Sequence, residues 1–119
     1  MVVSSDYVRI PCACGPDGKA DVELWISRKQ QWLDDRADSI VDKTHVGVIH
    51  TAHRLLVVAI RAPFATLDVL VAHGPCVKPG CKSDVEAAEV WWDAVESVVI
   101  SRRRNDVPMV WLVDANVQV

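Results

Sequence analysis

The order of three stretches between Thr66 and Val117 constrains this chain most. Leu67-Asp68-Val69-Leu70-Val71-Ala72-His73 reads as a buried strand. A turn segment with Gly74, Pro75, Pro79 and Gly80 follows, and then a charged, apolar-striped stretch from Lys82 to about Arg104. Pro108-Met109-Val110-Trp111-Leu112-Val113-Asp114 is a second apolar run, closing in Asp114-Ala115-Asn116. Strand, helix, strand is a βαβ unit, so the strands 67–73 and 108–114 should be parallel and close in one sheet, joined by a right-handed crossover. His73 and Asp114 then end their strands at the same sheet edge, where open α/β sheets place ligand sites.

The middle stretch carries helical periodicity. Val85, Ala88, Trp92, Val95 and Val99 fall at three- and four-residue steps, and Trp91 and Val98 widen the apolar face. The pattern predicts a helix over 83–104 with Ala88, Trp92, Val95 and Val99 against the sheet. Ser83 fits an N-cap, with Glu86 three residues on completing a capping box. Arg102-Arg103-Arg104 complements the negative end of the helix dipole, which reads as a solvated helix end.

Upstream, Tyr7, Arg9 and Ile10 mark a short alternation closed by Pro11, a strand or a frayed end. Gly15-Pro16-Asp17-Gly18 is a turn signal. Val22, Leu24 and Ile26 alternate with Glu23, Trp25 and Ser27, a strand with one face in the core and Trp25 partly buried on the other. Residues 28–39 are polar, a helical turn or an exposed connection, with Trp32 as a packing anchor. Ile40-Val41 fits a very short strand. His45–Thr51 and Leu55–Arg61 predict an antiparallel hairpin around Ala52-His53-Arg54. Val46, Val48 and His50 should share one face of it. His45, His50 and His53 straddle the turn on differing faces, which argues against a metal cluster.

Length allows one domain, residues 1–119, with one modest core, and the apolar half of the composition argues against disorder. The net charge of −3 gives no global basic surface for nucleic acid. No apolar run reaches the length of a membrane span and no secretory segment opens the chain, so the expected place is cytoplasmic or nuclear. Cys12, Cys14, Cys76 and Cys81 are read as reduced loop thiols, their spacing being taken as a poor match to a structural zinc site.

If the last strand continues through Ala115, Asp114 and Asn116 share a face. An aspartate there can orient a water or hold a metal, and an amide or His73 can donate to phosphate oxygens. Asp and Asn also cap and turn chains after strands.

The order Ala72-His73-Gly74-Pro75, Glu89-Val90-Trp91-Trp92, Val113-Asp114-Ala115-Asn116 resembles the endonuclease/exonuclease/phosphatase superfamily, and most closely retroelement endonuclease domains. Asp21-Val22-Glu23-Leu24-Trp25-Ile26-Ser27 is similar to that family's strand after a glycine-rich turn. The resemblance covers about residues 15–117. It implies an α/β (α+β) fold, a partial DNase I-like sandwich with a mixed sheet, a βαβ unit and one long covering helix. It further implies a Mg²⁺- or Mn²⁺-dependent phosphodiesterase acting on nucleic acid. Asp114 would orient the attacking water and be the weak metal ligand, Asn116 would support it and bind phosphate, and His73 would contact the phosphate.

The family's amino-terminal Asn strand and metal-binding Glu have no counterpart, its Ser-Asp-His motif would follow Val119, and Gly-Asp-Phe-Asn is here Val113-Asp114-Ala115-Asn116. The chain is therefore expected to be a central fragment or remnant, inactive alone. The alternatives are a non-catalytic interaction or scaffold domain, associating through an exposed sheet face, and a small cysteine-based zinc module.

Overall fold

The computed structural model describes residues 1–116, so Val117 lies outside the described residues. Its strands are β1 (Val2–Val3), β2 (Tyr7–Pro11), β3 (Glu23–Ser27), β4 (Val46–Ala52), β5 (Leu55–Ala62), β6 (Ala65–His73) and β7 (Met109–Asp114). One helix, α1 (Lys82–Arg102), crosses between β6 and β7, and a 3₁₀ turn at Lys43–His45 precedes β4.

β5 is apolar on both faces, so both faces need cover, and the layering follows from that requirement. An antiparallel sheet β1-β2-β3 covers one side of a four-stranded sheet β4-β5-β6-β7, and α1 covers the other. Between the sheets, Val8, Ile10, Leu24 and Ile26 meet Leu56, Val58, Ile60 and Val69. Beneath the helix, Val95 meets Leu55, Val57, Leu70 and Ala72. The chain is thus a mixed α/β fold with two sheets and one long helix.

β6 and β7 are adjacent and parallel, with Asp68 beside Met109 and His73 beside Asp114. This is the geometry that the βαβ order demands. The helix buries Ala88 and Val95 fully, while Trp91, Trp92, Val98 and Val99 are only partly covered. Val85 is exposed, because the helix start overhangs the sheet edge.

Several local expectations fail for identifiable reasons. Ser83 is not the N-cap. Cys81 occupies that position without a side-chain cap, and Asp84 instead accepts from the Lys78 N–H at 3.1 Å, closing the entering turn from inside the helix. His50 does not share a face with Val46 and Val48. A bulge between Val48 and His50 pairs Val48 with Val58 but His50 with Val57, so the strand changes face there. Ile40 and Val41 form no strand, although Val41 is fully buried in the core between the sheets.

Trp25 is 54% exposed and sets its ring edge-on to Tyr7. Trp32 is 40% exposed, tilted on Phe64 with ring centres 6.2 Å apart, so it anchors only part of its area. Residues 28–39 make no helix; the loop is closed by buried Ser39, whose hydroxyl accepts from the Leu33 N–H. Before β4, the Thr44 hydroxyl and N–H hold the Asp42 carboxyl below the usual carboxylate range. That cap is intact above the range and is lost as pH falls through the lowered value.

Candidate functional site

Parallel register delivers His73 and Asp114 side by side, and the chain after each strand locks them together. The Gly74 N–H donates to the Asp114 carbonyl at 2.6 Å, extending the ladder by one bond. The Asp114 carboxylate then turns back on its own chain and accepts from the Asn116 N–H at 3.1 Å, a side-chain-closed turn typical of aspartate. Asn116 sits at φ 52°, a left-handed conformation that asparagine tolerates better than most residues. Its amide returns to β6, Nδ2 lying 2.7 Å from the Gly74 carbonyl and 2.9 Å from His73 Nε2.

The three residues singled out from sequence are therefore in one cluster. Both N–H groups of the Asn116 amide are engaged, one by Gly74 and one by His73, so the amide positions the imidazole. With Nε2 accepting, the neutral ring carries its proton on Nδ1, and that N–H is the donor left for a ligand. Asp114 Oδ2 lies 3.8 Å from Nε2, a partner for the ring only when it is protonated. The Asp114 side chain is 68% exposed and pairs with no Lys or Arg among the described residues.

The facing wall comes from the small sheet. An open cleft of about 400 Å³ runs between Asp21, Val22 and Glu23 on one side and His73, Leu112 and Asp114 on the other. Asp21 contacts His53 and lies 3.6 Å from Arg54 Nε. Arg54 also donates to the Gly74 carbonyl at 3.2 Å, and its own carbonyl accepts from the His73 N–H at 3.0 Å. Glu23, on the same wall, accepts from Trp25 Nε1 at 2.8 Å with Arg9 Nε at 3.7 Å.

The sequence pattern does not single out Arg54, Asp21 or Gly74 as site residues. For Gly74 a signal exists, a glycine directly after a strand-ending histidine. For Arg54 and Asp21 none does, because their partners are distant in sequence.

The histidines of the hairpin serve separate ends. His45 packs edge-on against Phe64, His50 pairs across to Val57, and His53 contacts Asp21. Cys76 and Cys81 do have the four intervening residues of some zinc knuckles. Cys12, however, is buried at the end of β2, whereas Cys14 and Cys76 are exposed. Among the described residues no three His, Cys, Asp or Glu side chains gather closely enough to enclose a metal ion. Asp114 is thus a single carboxylate rather than part of a cage, and the described residues do not fit a bound magnesium as they stand. No described helix is long and apolar enough to cross a membrane.

No protein-family model matches this chain, and no curated protein or solved structure matches it either.

Proposed function

We propose that the cleft between the sheets binds a phosphate ester. In this reading it is the phosphate-positioning part of a phosphodiesterase centre of the endonuclease/exonuclease/phosphatase type, with nucleic acid as the substrate class. One observation carries the reading: His73 and Asp114 face an open cleft at the carboxyl edge of a parallel strand pair, with the Asn116 amide on the His73 ring. The two-layer sheet with one covering helix supports a partial DNase I-like sandwich. His73 Nδ1–H donates to a phosphate oxygen, and Asn116 fixes the ring. Asp114, with no cation beside it, orients a water. Magnesium is what the family resemblance implies, but its ligand set is not assembled among the described residues. Such a substrate belongs to the cytoplasm or nucleus.

The isolated chain is therefore expected to bind without hydrolysing. A short single-stranded oligonucleotide should shift the His73 ring resonances, and plasmid or abasic-site DNA with magnesium should be cut no faster than by Asp114→Asn. An unmoved His73 ring would remove the phosphate from this cleft. Magnesium-dependent cleavage lost in Asp114→Asn would mean that a complete catalytic site assembles after all.

A second reading, a non-catalytic interaction domain, is favoured by the edge strand β7. Val110, Trp111, Leu112 and Val113 are 39–50% exposed in succession, and no Lys or Pro lies within the strand to block pairing. Of these, Val110 and Leu112 line one depression with Trp25 and Trp32, a contiguous exposed apolar patch of the kind that marks an interaction surface. The occupant in this reading is a second copy, with β7 antiparallel to its symmetry mate. That register puts Met109 opposite Asp114 and pairs only apolar residues between them, so no like charges meet. Sedimentation should show a dimer at high micromolar concentration and a monomer for Trp111→Lys; a monomeric wild type eliminates this reading.

A further inference from the structure

The far end of α1 carries a second concave site. A pocket of about 630 Å³ opens there between the helix end and the sheet. Arg61, Ser101, Arg102, Arg103 and Arg104 line it over an apolar floor of Ile49 and Ala59. No carboxylate takes part in the lining. Arg102, Arg103 and Arg104 make no ion pair among the described residues, in a chain whose net charge is −3.

Arg61 comes from β5 and is held rigidly. Its Nη1 donates to the Ile60 and Leu67 carbonyls at 3.0 Å each, and its Nη2 to Asp68 at 2.8 Å. The helix dipole accounts for a cation in the last turn, at about 0.3–1 kcal/mol. It does not account for three successive unpaired guanidinium groups gathered with a fourth from another element. Arg61 is already paired with Asp68, but the three helix-end guanidinium groups have no counter-charge in the lining, and like charges around one concavity repel unless an anion joins them. Arginine presents a planar fork of donors that matches phosphate oxygens in pairs.

We infer that this pocket binds an anion carrying two or more phosphates, either a polyphosphate or the backbone of a nucleic-acid strand. It is separate from the His73 cleft. The two share no lining residue. The inference therefore stands whether or not the cleft binds phosphate.

The probes are inorganic pyrophosphate and a short oligothymidylate, each titrated into the full chain. Expected are amide shifts at Ser101–Arg104, Ile49 and Ala59, whether or not the His73 cleft also responds, and at least a tenfold loss of affinity at this pocket in Arg103→Gln/Arg104→Gln. Arg61 stays in place in that variant because it also supports the sheet. Pyrophosphate binding as tightly as the oligomer identifies a small polyphosphate. Tighter oligomer binding identifies a strand, provided that the slope of log affinity against log salt flattens in the variant by about 0.7 for each phosphate no longer neutralised. No binding of either probe at millimolar concentration overturns the inference, as does binding that leaves Ser101–Arg104, Ile49 and Ala59 unshifted on the wild type. The wild-type shift map keeps the test decisive even if the variant folds poorly.

Discussion

Arg61→Met is expected to destabilise the fold by about 3 kcal/mol, at the lower end of the cost of breaking a buried ion pair. The cause is Asp68. This carboxylate is 1% exposed in the middle layer, on the β6 face that meets the helix, and its Oδ2 has no hydrogen-bond partner among the described residues. Its other oxygen depends on Arg61 Nη2 at 2.8 Å. Without the guanidinium, a charge lies buried with neither oxygen satisfied, and the Leu67 carbonyl loses its side-chain donor as well. The Arg61 side chain is 34% exposed, so water can reach part of the gap, which places the figure low in the range. Urea denaturation at neutral pH measures the loss. Arg61→Met/Asp68→Leu should recover to within about 1 kcal/mol of wild type, since replacing both members of a buried pair by apolar groups is close to neutral. A double variant as unstable as the single one would show that Arg61 acts through the carbonyls of Ile60 and Leu67 instead.

Asp68 also shows where sequence reading stops. Within Leu67–His73 it is one acid in an apolar run, and nothing in the run says whether it faces water or core. Its partner, Arg61, lies across a hairpin. Features set by periodicity are legible: the buried strands, the helix and the parallel pair at its two ends follow from residues within a few positions of one another. Features set by backbone irregularity are not. The bulge beside Ile49 leaves the alternation Val46, Val48, His50 intact in sequence while moving His50 to the other face. The helix start departs from the capping pattern because Asp84 braces the entering turn, which leaves Ser83 without the capping role.

The candidate site divides in the same way. His73, Asp114 and Asn116 are legible because strand ends carry them to one edge. Their hydrogen-bond roles are not, since the Asn116 amide is committed by the positions of Gly74 and His73 more than 40 residues earlier. Arg54 joins from the tip of the β4–β5 turn at φ 66°, and Asp21 from the other sheet. The Asp21 contact depends on how the two sheets stack, and the Arg54 contacts with Gly74 and His73 on the β5–β6 register, neither of which a local pattern encodes.

Gly74→Ala should disrupt this cluster more than removing any one of its polar groups. A Cβ at position 74 would lie 2.5 Å from the Ala115 carbonyl oxygen and 3.0 Å from Trp92 Cζ2. The nearer atom is backbone and cannot rotate away, so the segment 114–116 must move. That motion breaks the Gly74 N–H to Asp114 bond and draws the Asn116 amide off His73 and the Gly74 carbonyl. Overpacking of this kind costs about 3 kcal/mol, the upper part of the usual range, because the clash falls on main chain. Two measurements separate the consequences. Thermal denaturation should show the loss of stability. In a folded sample, the His73 ring should lose its preference for the Nδ1-protonated tautomer, as read from its ring-nitrogen shifts. Trp92→Ala in the Gly74→Ala background should not restore it, because the tighter contact is with Ala115. A Gly74→Ala protein with wild-type stability and an unchanged His73 tautomer would show that Ala115 gives way freely, and that Gly74 does not hold the cluster in register.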